Sequence, residues 1–96
     1  MNIVKALRSD ILEKDLGNGL IEIKGFWCNT IRYRLFTLHG ELHGEYKEWW
    51  DNGVLKIHCY YVKGELHGEY KCWLDDGSRF LDQVFSNGDL IKSKIR

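Results

Sequence analysis

The 96-residue chain has no proline, a single methionine, three cysteines and no net charge, since fourteen Lys and Arg offset fourteen Asp and Glu. Each scarcity excludes something. The lack of proline, beside 44% hydrophobic and 29% charged residues, argues against a linker, a collagen-like fibre or a disordered chain. Balanced charge removes the long-range positive field behind most nucleic-acid binding, so DNA and RNA are not expected partners. No apolar run approaches the roughly 20 residues that cross a bilayer, and Met1 to Leu20 mixes charges with aliphatics where a secretory leader carries an apolar stretch. An intracellular, cytoplasmic protein is expected. Cys28, Cys59 and Cys72 are an odd set with gaps of 31 and 13 residues, fitting neither a Cys-x-x-Cys metal pair nor a closed disulfide framework, so reduced thiols are expected. A chain this short has material for one hydrophobic core, which excludes two catalytic domains.

What the chain has in abundance is glycine, ten residues, and aromatics, with four Trp, five Tyr and four Phe. Both point to turns and strands. Gly40-Glu41-Leu42-His43-Gly44-Glu45-Tyr46-Lys47 recurs letter for letter, 24 positions on, as Gly64-Glu65-Leu66-His67-Gly68-Glu69-Tyr70-Lys71. At the same interval Trp49 pairs with Trp73, Asp51 with Asp75, Gly53 with Gly77, and Gly64-Glu65-Leu66 with Gly88-Asp89-Leu90. Upstream the register fades, although Ile31, Tyr33, Leu35, Phe36 and Leu38 still fall opposite Leu55, Ile57, Cys59, Tyr60 and Val62. The organisation read from this is one domain: a degenerate unit over about 16–39, clear repeats at 40–63 and 64–87, and a truncated unit at 88–96.

Within a unit, Glu45 to Trp50 and Val54 to Val62 are rich in aromatic and β-branched residues and flank Asp51-Asn52-Gly53, where Asn-Gly is a two-residue hairpin signal. Asp75-Asp76-Gly77 repeats that turn, and Lys63-Gly64 and Asn87-Gly88 reverse the chain between hairpins. Alternation puts Tyr46, Glu48 and Trp50 on one side and Glu45, Lys47 and Trp49 on the other, with Tyr70, Cys72 and Leu74 against Glu69, Lys71 and Trp73 in the next copy. The expected fold is all-β, an elongated single-layer antiparallel meander of repeated hairpins buried by neighbouring units instead of a second layer.

Tyr61-x-x-Gly64-x-Leu66-His67-Gly68-x-Tyr70-x-x-Trp73-x-x-x-Gly77, with its partial copy from Gly40, resembles MORN repeats, in the variant of about two dozen residues found in bacteria and in large viruses of amoebae. The resemblance covers roughly Phe36 to Leu90; Cys28-Asn29-Thr30 stands where a glycine-containing turn belongs. It implies a twisted β-ribbon that self-associates, acting as a scaffold or interaction module. Some MORN arrays are linked to phosphoinositides and some bacterial relatives are labelled antitoxins, so an anionic-membrane module and an inhibitor of a partner protein are alternative expectations. For a viral chain the location becomes host cytoplasm or virion.

The ends of such a ribbon are open edges. Ile3, Val4, Leu7, Ile11 and Leu12 fall at helical spacing, so Asn2 to Lys14 reads as a short amphipathic helix capping the first strand or as an irregular strand. Leu90 to Arg96 alternates Ile91 and Ile95 with Lys92, Lys94 and Arg96, an edge strand guarded by lysine.

Candidate chemistry is sparse. His43 and His67 with His39 and His58 form the only imidazole set, but equivalent residues two strands apart lie roughly 10 Å apart, too far to share a zinc. They read as turn packing, with imidazoles bonded to a neighbouring turn. Gly44 and Gly68 read as places where an aromatic crosses the strand. No serine sits in a Gly-x-Ser-x-Gly setting, Cys72 reads as a replacement for Glu48 on a sheet face, and the repeated Glu45, Glu69, Asp51, Asp75 and Asp76 follow structure, so no enzyme, metal or cofactor is expected. Trp27, Trp49, Trp50 and Trp73 are the candidate interaction surface, most of their area serving contacts between units. Arg32, Arg34, Lys56 and the basic tail are the residues for an anionic lipid surface. Gly40, Leu42, His43, Gly44, Tyr46, Gly53, Gly64, Leu66, His67, Gly68, Tyr70, Gly77 and Gly88 define the repeat. The expected function is non-enzymatic: a homodimer, joined through a sheet edge or aromatic face, that holds an unidentified protein.

Overall fold

A computed structural model describes residues 9–95. The chain is all-β, a single open antiparallel sheet. Its strands are β1 Ser9–Gly17, β2 Leu20–Trp27, β3 Thr30–Leu38, β4 Glu41–Leu42, β5 Gly44–Trp49, β6 Leu55–Val62, β7 Glu65–Trp73, β8 Arg79–Ser86 and β9 Asp89–Ile95. They follow one another across the sheet in chain order, with the short β4 pairing β3 just ahead of β5. Extents of 51 × 38 × 14 Å and a radius of gyration of 15.2 Å describe a thin, elongated body; a globular chain of this length has a radius near 12.5 Å. Ser9–Lys14 are strand, so the helical alternative fails for them: pairing with β2 satisfies their backbone, which a lone helical turn against a sheet edge does not. The rest of the Asn2 to Lys14 segment, residues 2–8, lies outside the described residues.

Two kinds of turn alternate. At one end of the sheet His39-Gly40, Lys63-Gly64 and Asn87-Gly88 each place two consecutive residues at positive φ, the signature of the two-residue turn whose twist suits a hairpin. At the other end the expected two-residue Asn52-Gly53 turn is a three-residue one. Only Gly53 has positive φ, Gly53 N–H donates to the Trp50 carbonyl at 3.0 Å, and the register slips between Glu48 and Trp49. Leu74 to Ser78 repeat this geometry around Gly77. Cys28-Asn29 joins β2 to β3 with both residues at positive φ and no glycine.

The 24-residue repeat now has a cause. Gly64 N–H donates to the Leu42 carbonyl at 2.9 Å and Gly88 N–H to the Leu66 carbonyl at 2.8 Å, so each turn is tied to its predecessor by the same bond. Tyr46 meets Tyr61 edge-on at 5.9 Å, and 24 residues later Tyr70 meets Phe85 at 5.9 Å. Cys59, 0% exposed, is paired with Tyr46 on one side and Tyr70 on the other. Among the described residues it is the one buried hydrophobic side chain, so packing runs along one face from strand to strand and no second layer covers it. The opposite face is charged. Lys24, Arg34, Lys47, His58, Lys71, Asp82 and Lys94 are successive register partners from β2 to β9.

Gly44 and Gly68 correct an expectation. Their φ values are +94° and +96°, and a Cβ on either would meet only ordinary contacts, with Phe36 and Tyr60, so conformation and not crowding selects glycine. The close crossing is elsewhere: the Tyr33 ring lies where a Cβ on Gly25 would sit.

Candidate interaction groove

Three of the four tryptophans converge. Trp27 from the end of β2 and Trp49 and Trp50 from the end of β5 line an open groove of about 710 Å³, with Phe26, Tyr33, Arg32, Lys56 and the carboxylates of Asp10, Glu48, Asp51 and Asp75. Gly25 opposite Tyr33 lets that ring lie down onto β2 and form part of the floor. Trp27 is 47% exposed, while Trp49 and Trp50 are half-buried. Trp73 stays outside the groove: its carbonyl accepts the Trp50 indole N–H at 3.0 Å and Arg79 lies 5.2 Å over its ring.

The electrostatics are local. Glu48 accepts the Tyr46 hydroxyl at 2.8 Å and lies 3.3 Å from Lys56 Nζ, which sits 4.5 Å over the Trp50 ring. Burial, then the bond to the Glu48 carboxylate, pushes the Tyr46 hydroxyl well above its ordinary value. Arg32 Nε is closed off from solvent with no hydrogen-bond partner.

Away from the groove, Arg34 bridges Glu22 at 2.8 Å and Glu45 at 3.2 Å, and Glu45 also meets His58 at 2.9 Å and Lys47 at 3.9 Å. The bond from Arg34 holds the Glu22 carboxyl below its ordinary 4.5. His67 behaves as expected, its Nδ1 accepting Asn87 N–H at 3.2 Å. Its counterpart His43 does not: its Nδ1 is buried without a partner. His39 lies against Gly19. No cluster of three or more His, Cys, Asp or Glu able to hold a metal occurs among the described residues. Burial pushes the Cys59 thiol up to about 12 and raises Cys72, so both are protonated at neutral pH and present no thiolate.

Compared with protein-family models, curated proteins and solved structures, the chain matches none. The MORN resemblance therefore rests on the repeated letters alone. Sequence reasoning placed Trp27, Trp49 and Trp50 among its candidates but missed Tyr33 and the contribution of Asp10 and Ile11 from β1. The signal was the register: once Gly25 is opposite Tyr33 and Ile11 opposite Gly25, these residues are neighbours of the Trp pair. It also missed the cationic row, which exists only across strands.

Proposed function

We propose that this is a non-enzymatic interaction or scaffold module of the MORN type that associates with itself and with a protein partner by burying sheet surface. One observation carries the reading: a single-layer sheet with one buried hydrophobic side chain among the described residues leaves large apolar groups, Trp27 among them, in solvent. Three tryptophans on one groove supply the kind of anchor that dominates protein interfaces. Sedimentation velocity with acrylamide quenching of the tryptophans tests it. Self-association with concentration, and protection of Trp27 on adding a partner, support the reading; a strict monomer whose indoles are all shielded refutes it.

A second reading is an anionic-membrane module, favoured by the row of Lys24, Arg34, Lys47, His58, Lys71 and Lys94, interrupted by Asp82, on one face. Glu22, Glu45 and Glu69 pair with Arg34, Lys47, His58 and Lys71 and offset much of that charge, which ranks it second. Liposome sedimentation decides: binding that grows with anionic lipid and falls with salt supports it, and indifference to both removes it.

A further inference from the structure

Among the described residues the path through the sheet ends in two edge strands, β1 and β9, and neither is blunted by proline. Both carry large aliphatics in solvent: Ile11 is 58% exposed, Leu12 59%, Leu90 53% and Ile91 63%. Their charges are opposite. β1 bears Asp10, Glu13 and Asp15 against Lys14, and β9 bears Lys92 and Lys94 against Asp89. Eight strands lie on the path and every adjacent pair is antiparallel, so the two edges run in opposite directions.

We propose that the protein associates with a second copy of itself head to tail, the β9 edge of one copy pairing antiparallel with the β1 edge of the next. This rests on the self-association reading above and names the surface. Three edge pairings preserve antiparallel hydrogen bonding and keep like faces together: β1 with β1, β9 with β9, and β9 with β1. The first joins two strands of net negative charge and the second two of net positive charge, and like net charge opposes association. Only the third joins edges of opposite net charge: Lys92 and Lys94 share a face with Asp10 and Lys14, and Glu13 and Asp15 add acid on the other face of β1. The lysines that keep β9 from pairing with its own copy leave it complementary to β1. The contact is heterologous, so a further edge remains open after each addition and assembly continues past two copies unless it closes into a ring.

The test uses the full chain and two double variants. Lys92→Glu with Lys94→Glu makes both edges acidic; Asp10→Lys with Glu13→Lys makes both basic. Sedimentation velocity at low ionic strength is expected to show wild-type mass growing beyond two copies with concentration. Each variant alone should associate at least about tenfold more weakly, and an equimolar mixture should recover association. If the variants associate like wild type, or the mixture stays apart, or the wild type stops at a closed pair that resists edge charge reversal, the edge assignment is wrong while self-association stands. A wild-type monomer at every concentration removes both. Far-UV circular dichroism checks the fold, and Lys94→Glu and Asp10→Lys as single changes repeat the comparison if a double variant fails to fold.

Discussion

Gly68 decides between two explanations for a repeated glycine. It sits at φ +96°, and the nearest atom to a Cβ built there, Tyr60 Cδ1, is 3.9 Å away. Gly68→Ala therefore meets no obstruction and pays only for a backbone region that L residues avoid, about 1–2 kcal/mol. With a urea m-value near 1–1.5 kcal/mol/M for a chain this size, the unfolding midpoint should fall by about 1 M, and the melting temperature by about 5–15 °C. Gly68→Asn is the informative partner, because Asn is larger than Ala yet tolerates positive φ better. Conformational selection gives the stability order Gly, Asn, Ala. Gly25 is the internal control, since it is buried, its φ is unexceptional and the Tyr33 ring occupies the site of its Cβ. There the order should be Gly, Ala, Asn, and Gly25→Ala should cost about 1–3 kcal/mol in the wild type but much less in a Tyr33→Ala background. Measured at one fixed protein concentration, the order Gly, Ala, Asn at Gly68 would refute the reasoning.

Three further outcomes are expected. Cys28 holds φ 50° in a turn that favours Asn or Gly, so Cys28→Asn should raise stability by about 0.5–1 kcal/mol in a thermal melt; an unchanged or lower melting temperature counts against it. His67→Phe loses the bond from Asn87 N–H whereas His43→Phe removes an unpartnered buried nitrogen, so urea titration should find the former costlier by about 1 kcal/mol; equal costs would show the two sites to be equivalent. Glu22 and Asp76 have folded values below their ordinary 4.5 and 3.8, the first through Arg34 and the second through Ser78. A depressed folded value means the stabilisation is complete above the ordinary value and is lost as pH falls through the folded one. Stability should thus decline below about pH 4.5, and Glu22→Gln should flatten the upper part of that decline; a slope unaltered by the substitution excludes Glu22 as its source.

The strand pattern was legible because its determinants are local. Tyr46, Glu45 and their neighbours alternate faces, glycine marks every reversal among the described residues except that at Cys28-Asn29, and the repetition of Leu42 and Leu66 fixes which turns correspond. Turn type was less legible. Asn52-Gly53 has the letters of a two-residue turn, but Trp50 bonds to both Val54 and Gly53 and takes in one more residue, while Cys28-Asn29 makes a two-residue turn without the letters for it. Spacing alone does not reveal these choices, because they depend on how the hairpin twist meets the adjacent strand. Gly44 and Gly68 were misread for a related reason: a glycine beside aromatics looks the same in sequence whether it frees space or adopts positive φ. The partners of Arg34 lie on β2 and β5 and needed the register before they could be named.

The groove forms where the repeat is least regular. The hairpin tip at Cys28-Asn29 is one residue shorter than the tips built around Gly53 and Gly77. Trp27, Arg32 and Tyr33 from that shorter hairpin, with Asp10 and Ile11 from β1, stand against Trp49, Trp50, Asp51 and Lys56 from the first regular one. Residues that recur every 24 positions are explained by the ladder: Leu42 and Leu66 accept the next turn, and Tyr46 and Tyr70 begin the same edge-on pair. Trp27 and Arg32 are not explained that way: 24 positions on stand Asp51 and Lys56, and although Trp27 pairs with Thr30 to close the Cys28-Asn29 turn, that pairing leaves its indole 47% exposed. A half-exposed indole and an orphaned guanidinium nitrogen in one groove contribute nothing to propagating the sheet. On the proposed reading this is the surface a partner covers, which would put the selective contact at the junction between the irregular and regular halves of the sheet.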